Sequence, residues 1–331
     1  GEQGNTEMTF EELVILIATA VASATPLVFA VVGETITERA GVINLSADGT
    51  ILLAGMAGFG AAKAMDSIWA GFAAAALVGA AIALIVAFGA ITLKQSQVAI
   101  GFILALLCAD LSSYLGRPLV LQPGPQVPSL PIQGLQDIPV LGRIFFSSDG
   151  LVYASYIVVI LAAVYLYRTR GGLMLRAVGE QPAAAFARGV PVVRLRYLYT
   201  LVGGALIGLA GAAFTLDMKT GWTYRHTAGY GWIALAIVIF GGWNPVRGAI
   251  GAYFFGFLET LASFAQSRVE NIPTQVFSVL PFVLMILVLA LTSGEWLTRL
   301  LGRAPPWLRR ALSANLNAPA PAALGRPFEQ D

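Results

Sequence analysis

Few side chains in this sequence could carry chemistry, and most of those few are excluded at once. His226 is the one histidine, with no acid and no second histidine beside it, so neither a metal site nor a Ser/His/Asp set can be built around it. Cys108 is the one cysteine; it lies in an apolar run and reads as a small buried or lipid-facing side chain. No GxxxxGK[ST], HExxH or CxxC pattern occurs, so no nucleotide, metal or redox cofactor is expected on this chain. What remains are polar groups set into apolar stretches. Asn44 and Asp48 stand one helical turn apart in Gly41-Val-Ile-Asn-Leu-Ser-Ala-Asp-Gly49, and Trp243 and Asn244 lie in Phe240-Gly-Gly-Trp-Asn-Pro-Val-Arg-Gly248. Asp110, Asp217 and Glu259 complete the set. Acids in such surroundings pair with one another, cap a helix or face water, and each is a functional candidate for that reason.

The elements that must position these groups are set by composition. Hydrophobic residues make up 57% of the 331 and charged residues 11%, far below the roughly 25% of a soluble domain. The mean hydropathy of +0.76 agrees with a polytopic membrane protein. Apolar runs fall near 13–33, 42–65, 67–92, 97–114, 151–167, 197–217, 230–243, 246–266 and 275–292. Irregular backbone cannot face lipid, so the expected fold is an all-α bundle of about nine segments, some broken or re-entrant. Four glutamates and no basic residue precede the first run within residues 1–12, which is unlike a signal peptide and points to a retained span.

Between two of these runs, Arg168 to Arg196 carries six arginines, no lysine and one acid, Glu180. The positive-inside rule places this loop in the cytoplasm, and alternation then puts the N-terminus outside and the C-terminus inside. That orientation leaves 14 Lys and Arg inside and 6 outside, and the reverse would invert the bias. Within the loop, Gly179-Glu-Gln-Pro-Ala-Ala-Ala-Phe-Ala-Arg-Gly189 reads as a short helix. Pro182 takes its first position, Arg188 its last turn and Gly189 the position just past its end. About two turns are marginal alone in water, so something must hold it. Residues 115–150, with six prolines, are expected outside as a partly ordered cap. The chain divides into a membrane region, 1–295, and a cytoplasmic tail, 296–331. The tail's Trp296, Leu297, Leu300, Leu301, Trp307 and Leu308 suggest a stretch lying on the membrane surface, followed by an Ala/Pro/Asn segment expected to be disordered.

Glycines shape the packing. Gly204 and Gly208 form a GxxxG flanked by Gly203 and Gly211, a face for close helix approach either inside the bundle or between subunits. The breaks at 41–49 and 240–248 share a Gly/Asn character, which points to discontinuous helices around a path or gate, or to a plain turn in the second case. On this reading Asn44, Asp48, Trp243, Asn244 and Glu259 are the candidate pathway or gate residues. Trp222, Tyr224, Trp232, Trp243 and Phe59 would stack a base if they lined the path, although interfacial belts account for most such aromatics.

Three stretches together carry a resemblance: Gly41-Val-Ile-Asn-Leu45, Gly179-Glu-Gln-Pro-Ala-Ala184 and Gly231-Trp-Ile-Ala-Leu-Ala-Ile-Val-Ile-Phe-Gly-Gly-Trp-Asn-Pro245. Over about residues 10–295 the chain resembles permeases of bacterial ABC importers for branched-chain amino acids, ribose and related sugars. It is most similar to the nucleoside and simple-sugar branch fed by basic-membrane-protein-type lipoproteins. The resemblance implies a multi-pass subunit of the inner membrane that pairs with a second permease, often a paralogue, surrounded by lipid. It also implies two ATP-binding cassette subunits that carry the ATP and Mg, and an extracytoplasmic binding protein that delivers the solute; no nucleic-acid partner is implied. Residues 179–189 then resemble the coupling helix, with Gly179, Glu180, Pro182, Ala183, Ala184, Phe186, Ala187, Arg188 and Gly189 at the ATPase contact. Phe186 and Ala187 depart from the pattern, standing where smaller or more charged residues are expected. The solute expected on this resemblance is a nucleoside or purine, with a sugar or flavin as alternatives. Asp110, Asp217 and Glu259 are the groups that a stand-alone secondary transporter would need instead, and no catalytic constellation supports a membrane enzyme.

Overall fold

The computed structural model describes residues 9–219, 221–227, 229–266, 273–293 and 319–329. Twelve α-helices and no strands occur among them: α1 (Phe10–Arg39), α2 (Ala47–Met65), α3 (Ile68–Ala87), α4 (Gln97–Leu115), α5 (Leu141–Phe145), α6 (Gly150–Arg168), α7 (Arg170–Glu180), α8 (Pro182–Ala187), α9 (Val192–Ala213), α10 (Tyr230–Phe240), α11 (Pro245–Gln266) and α12 (Thr274–Ser293). Each apolar run of the sequence falls on a helix. Six of these helical stretches are long and apolar enough to cross a membrane: α1, α3 and α9 with the π-turns that extend them, α4, α6 and α11.

Local chemistry sets the helix starts. Thr9 and Glu12 form a reciprocal capping box on α1, with Glu12 N–H donating to Thr9 Oγ1 at 3.3 Å and Thr9 N–H to the Glu12 carboxylate at 2.9 Å. Asp149 caps α6 by accepting from the N–H groups of Leu151 and Val152 at 2.8 and 3.0 Å. The polar breaks between runs therefore act first as caps, which is why the helices begin where the apolar patterns do.

Helix α9 is the hub, packed on α1, α2 and α3. Its GxxxG face is used inside the bundle: a Cβ on Gly204 or Gly208 would overlap backbone carbonyls of α3, at Gly79 and Ala75. Gly203 meets α1 at Gly33 in the same way, and Gly211 meets α2 at Ile51. The main core lies between α1, α2, α9 with the π-turn after it, α10 and α11, around Leu27, Ile51, Ile207, Phe214, Tyr230 and Phe255.

Helix α10 has 11 residues, about 16 Å, roughly half the hydrocarbon thickness. Its first turn abuts α2: the Asp48 carboxylate accepts from Gly229 N–H at 2.7 Å and Gly231 N–H at 3.1 Å. An acid at that terminus satisfies donors that lipid could not, and it opposes the helix dipole.

The Ala/Pro/Asn composition predicts a disordered end to the tail; residues 311–318 of it fall outside the described residues, and 319–329 lie against the arginine-rich loop. Ala323 N–H donates to Gly179 O at 2.9 Å and Gly325 N–H to Gly41 O at 3.1 Å, while the Ala323 side chain is buried. Small side chains let the segment lie flat enough for its backbone to bond, which a count of polar and apolar residues does not register. The surface-lying stretch built on Trp296 to Leu308 falls outside the described residues.

Candidate functional site

Two regions at opposite ends of the bundle gather the polar groups. The first surrounds the arginine-rich loop. Thr169 caps α7 through its hydroxyl, which accepts from Gly172 N–H at 3.0 Å. The chain turns at Gln181 and enters α8 with Pro182 at its first position. Arg188 closes α8, and Gly189 follows with φ +81°, a left-handed conformation that suits glycine. Ala185 faces inward onto Val178 and Val192. Ala183, Ala184, Phe186, Ala187, Arg188 and Gly189 are exposed. Gly179 is buried against α1, where a Cβ would overlap the Arg39 carbonyl oxygen.

Arg39 ties this loop to the second polar break. Its Nε donates to Trp243 O at 2.9 Å and its Nη2 to Gly242 O at 3.2 Å. Its Nη1 lies 3.7 Å from the Glu180 carboxylate, at a partly exposed edge. Trp243 has φ +52°, a strained value for a large side chain. The Arg39 bonds hold that turn from the backbone, and the buried Glu38 carboxylate holds it from the side chain by accepting from the indole N–H. Asn244 caps α11, accepting from Val246 N–H at 2.9 Å. Asn44 is buried in the other break, where its Oδ1 accepts from Ser46 N–H at 3.3 Å.

The second region is a polar cavity of about 380 Å³ at the proline-loop end, lined by Thr19, Ser23, Asp149, Asp217, Met218, Glu259, Thr260 and Ser263 among others. Asp217 reaches it from the π-turn Phe214–Met218 that ends α9, a wide turn of the kind often found at functional sites. Glu259 Oε1 accepts from the Tyr230 hydroxyl, while its other carboxylate oxygen has no hydrogen-bond partner among the described residues. Lys219 stands over the Tyr230 ring at 5.2 Å and donates to His226 O at 2.8 Å. Burial lowers the Lys219 pKa, with the Glu259 charge partly opposing; burial and the Lys219 charge also lower that of His226, against the hydrogen bond to Thr223.

Of the candidate pathway residues, Glu259 alone lines this cavity. Asp48, Asn44, Trp243 and Asn244 make their contacts at the joints of broken helices. Asp110 pairs with Arg225 at 2.8 Å on an exposed surface. The aromatics are dispersed: Phe59 and Trp222 share a small core, Trp243 belongs to the main core, and Trp232 and Tyr224 are exposed. Sequence reasoning missed Glu38 and Arg39. Their signal was available as an acid beside an arginine at the end of an apolar run.

Comparison with known proteins agrees with this architecture. A provisionally named glucose ABC transporter permease protein of Haloferax volcanii, TsgC13, is 39% identical over 256 residues, covering 76% of this chain and 78% of its own. The guanosine ABC transporter permease protein NupQ of Bacillus subtilis is 31% identical, covering 84% of this chain and 91% of its own. The nucleoside ABC transporter permease protein NupC of Lactococcus lactis is 32% identical, covering 86% and 93%. Residues 16–289 match the model of the permease component of branched-chain amino acid transport systems. The chain belongs to that permease family, as a multi-pass membrane subunit of an ABC transporter whose ATPase activity lies in a separate subunit.

Proposed function

We propose that this permease moves a small polar solute, best a nucleoside or purine, into the cell by alternating access, with α8 as the helix that docks in an ATP-binding cassette subunit. In this reading the arginine-rich loop is cytoplasmic, the N-terminus is outside in the bacterial inner membrane, and a second permease, a paralogue or a second copy, completes the path. ATP and Mg bind on the cassettes, and an extracytoplasmic lipoprotein delivers the solute. The observation that carries the proposal is the geometry of α8: one inward alanine, an exposed face from Ala183 to Gly189, and a rigid mount on α1 through Gly179 and Arg39. A push on α8 passes through that mount to both polar breaks.

The cavity at the other end supports the solute class. Carboxylates and hydroxyls outnumber cations on its wall, an arrangement that accepts hydrogen bonds from ribose or sugar hydroxyls and from purine amines. The 39% identity to TsgC13 favours a second reading, in which the solute is a simple sugar. Uptake into proteoliposomes holding the assembled transporter, measured against nucleosides, purines, sugars and flavins, separates the two. ATP-dependent nucleoside uptake supports the first, and uptake of glucose without nucleosides replaces it with the second. Deleting residues 180–188 should abolish cassette binding, and retained stable assembly would sink the docking role of α8.

A further inference from the structure

The segment 319–329 lies at the arginine-loop end and belongs neither to the spans nor to α8. It touches four separate elements at the arginine-loop end. Ala323 N–H bonds to Gly179 O in α7, and Ala322 N–H bonds to the Glu180 carboxylate at 3.2 Å. Gly325 N–H bonds to Gly41 O after α1, and Glu329 lies 3.7 Å from Lys94 between α3 and α4. Arg196 of α9 is fully buried, and no carboxylate among the described residues pairs with its guanidinium. The acceptor that it does have is the Arg326 carbonyl, at 3.0 Å from Nη1, while its Nε and Nη2 find none among the described residues. A buried cation that relies on the tail backbone argues that the tail is a built part of this face.

The segment also alters what α8 presents. Phe328 packs on the small core beneath α8, made by Val178, Ala185 and Val192, and meets Phe186 edge to face at 5.7 Å. Phe186 stays 44% exposed; Arg188, two residues after it, and Arg326, two residues before Phe328, are exposed as well. An aromatic pair with exposed cations nearby in sequence suits an interface anchor.

We propose that residues 319–329 are part of the coupling element, so that the cassette ATPase grips a composite surface of α8 and the tail centred on Phe186 and Phe328. The matching face of the ATPase is an apolar pocket of aromatic size with acidic residues at its edge. This inference rests on the reading of α8 as the docking helix, and it explains why a helix of six residues can serve: the tail supplies its missing support.

The test co-expresses the full permease with its cassette and compares Phe328→Ala, Phe186→Ala, their double variant, a chain ending at Ala318, and the 180–188 deletion. Cassette retained on purification and cassette affinity are the readouts, with the size-exclusion profile of the permease as the folding check. Phe328→Ala is expected to weaken cassette binding about tenfold, and the double variant to be no weaker than the worse single one. If Phe328→Ala and the shortened chain bind as well as the parent while the 180–188 deletion does not, the tail proposal falls and the α8 reading stands. Tighter binding by the shortened chain also overturns it, since the tail would then cover the docking face. If the deletion itself still binds, the α8 reading fails first. Should the shortened chain not fold, Phe328→Ala decides, because it removes an edge ring and leaves every backbone bond of the segment in place.

Discussion

The two ends of this molecule solve opposite problems. At the arginine-loop end several polar groups are held by partners from distant parts of the chain: Arg39 by Gly242, Trp243 and Glu180, Glu38 by the Trp243 indole, and one nitrogen of Arg196 by the tail. At the proline-loop end Asp217 and one oxygen of Glu259 face a cavity with no cation among the described residues of its wall. On the proposed function, the contrast separates a surface for contact with a rigid partner from a space for a small, exchangeable solute.

The largest effect should come from the finished end. Gly179→Val would place a branched side chain on the Arg39 carbonyl and lift α7 and α8 off α1; cassette binding should fall more than about 100-fold, as read by co-purification. Parent-like binding would show that the mount does not matter. Arg39→Ala comes next. It leaves the strained Trp243 turn and Glu180 without their cation, and should lower stability by about 2–3 kcal/mol in thermal unfolding of the detergent-solubilised protein. Arg39→Lys should recover little, because one ammonium cannot span the same three acceptors.

At the open end, Asp217→Asn with Glu259→Gln should cut transport about tenfold through KM while cassette binding stays as in the parent. Lost cassette binding would erase the distinction between the two ends. The smallest effect is a pH dependence. The folded-state pKa of His226 lies below the unfolded value near 6.5, so the unfolded state takes up the proton first. Stability from this group is complete above about pH 6.5 and declines as pH falls toward the folded pKa. Thermal midpoints should drop modestly from about pH 7.5 to about 5.5, and His226→Gln should flatten that slope.

Much of this was legible in the sequence, for reasons that differ by region. The apolar runs, Pro182 and Gly189 mark helices and their ends through local chemistry, and the structure places helices and caps where that chemistry predicts. The roles of Asn44, Asp48 and Asn244 were half legible. Their positions at breaks could be read, but whether a carboxamide or carboxylate lines a path or caps a helix depends on neighbours more than 100 residues away, as for Asp48 and Gly229. The cavity was not legible, because Thr19, Asp149, Asp217 and Glu259 come from four distant stretches. The order of the tail was hidden because it rests on backbone N–H groups, which composition does not reveal. Phe186 offered the one clue, a ring larger than the resemblance led one to expect, and Phe328 is the partner that explains its size.

The glycine seams of α9 have a mechanical consequence. At the glycines where α9 crosses α1, α2 and α3, backbone comes close to backbone, with small side chains such as those of Thr37 and Ala83 beside the contact. Close-packed contacts of that kind resist shear. On the proposed reading the four helices would act as a single keel, so that a stroke delivered at one end would emerge at the other as a tilt of the whole block.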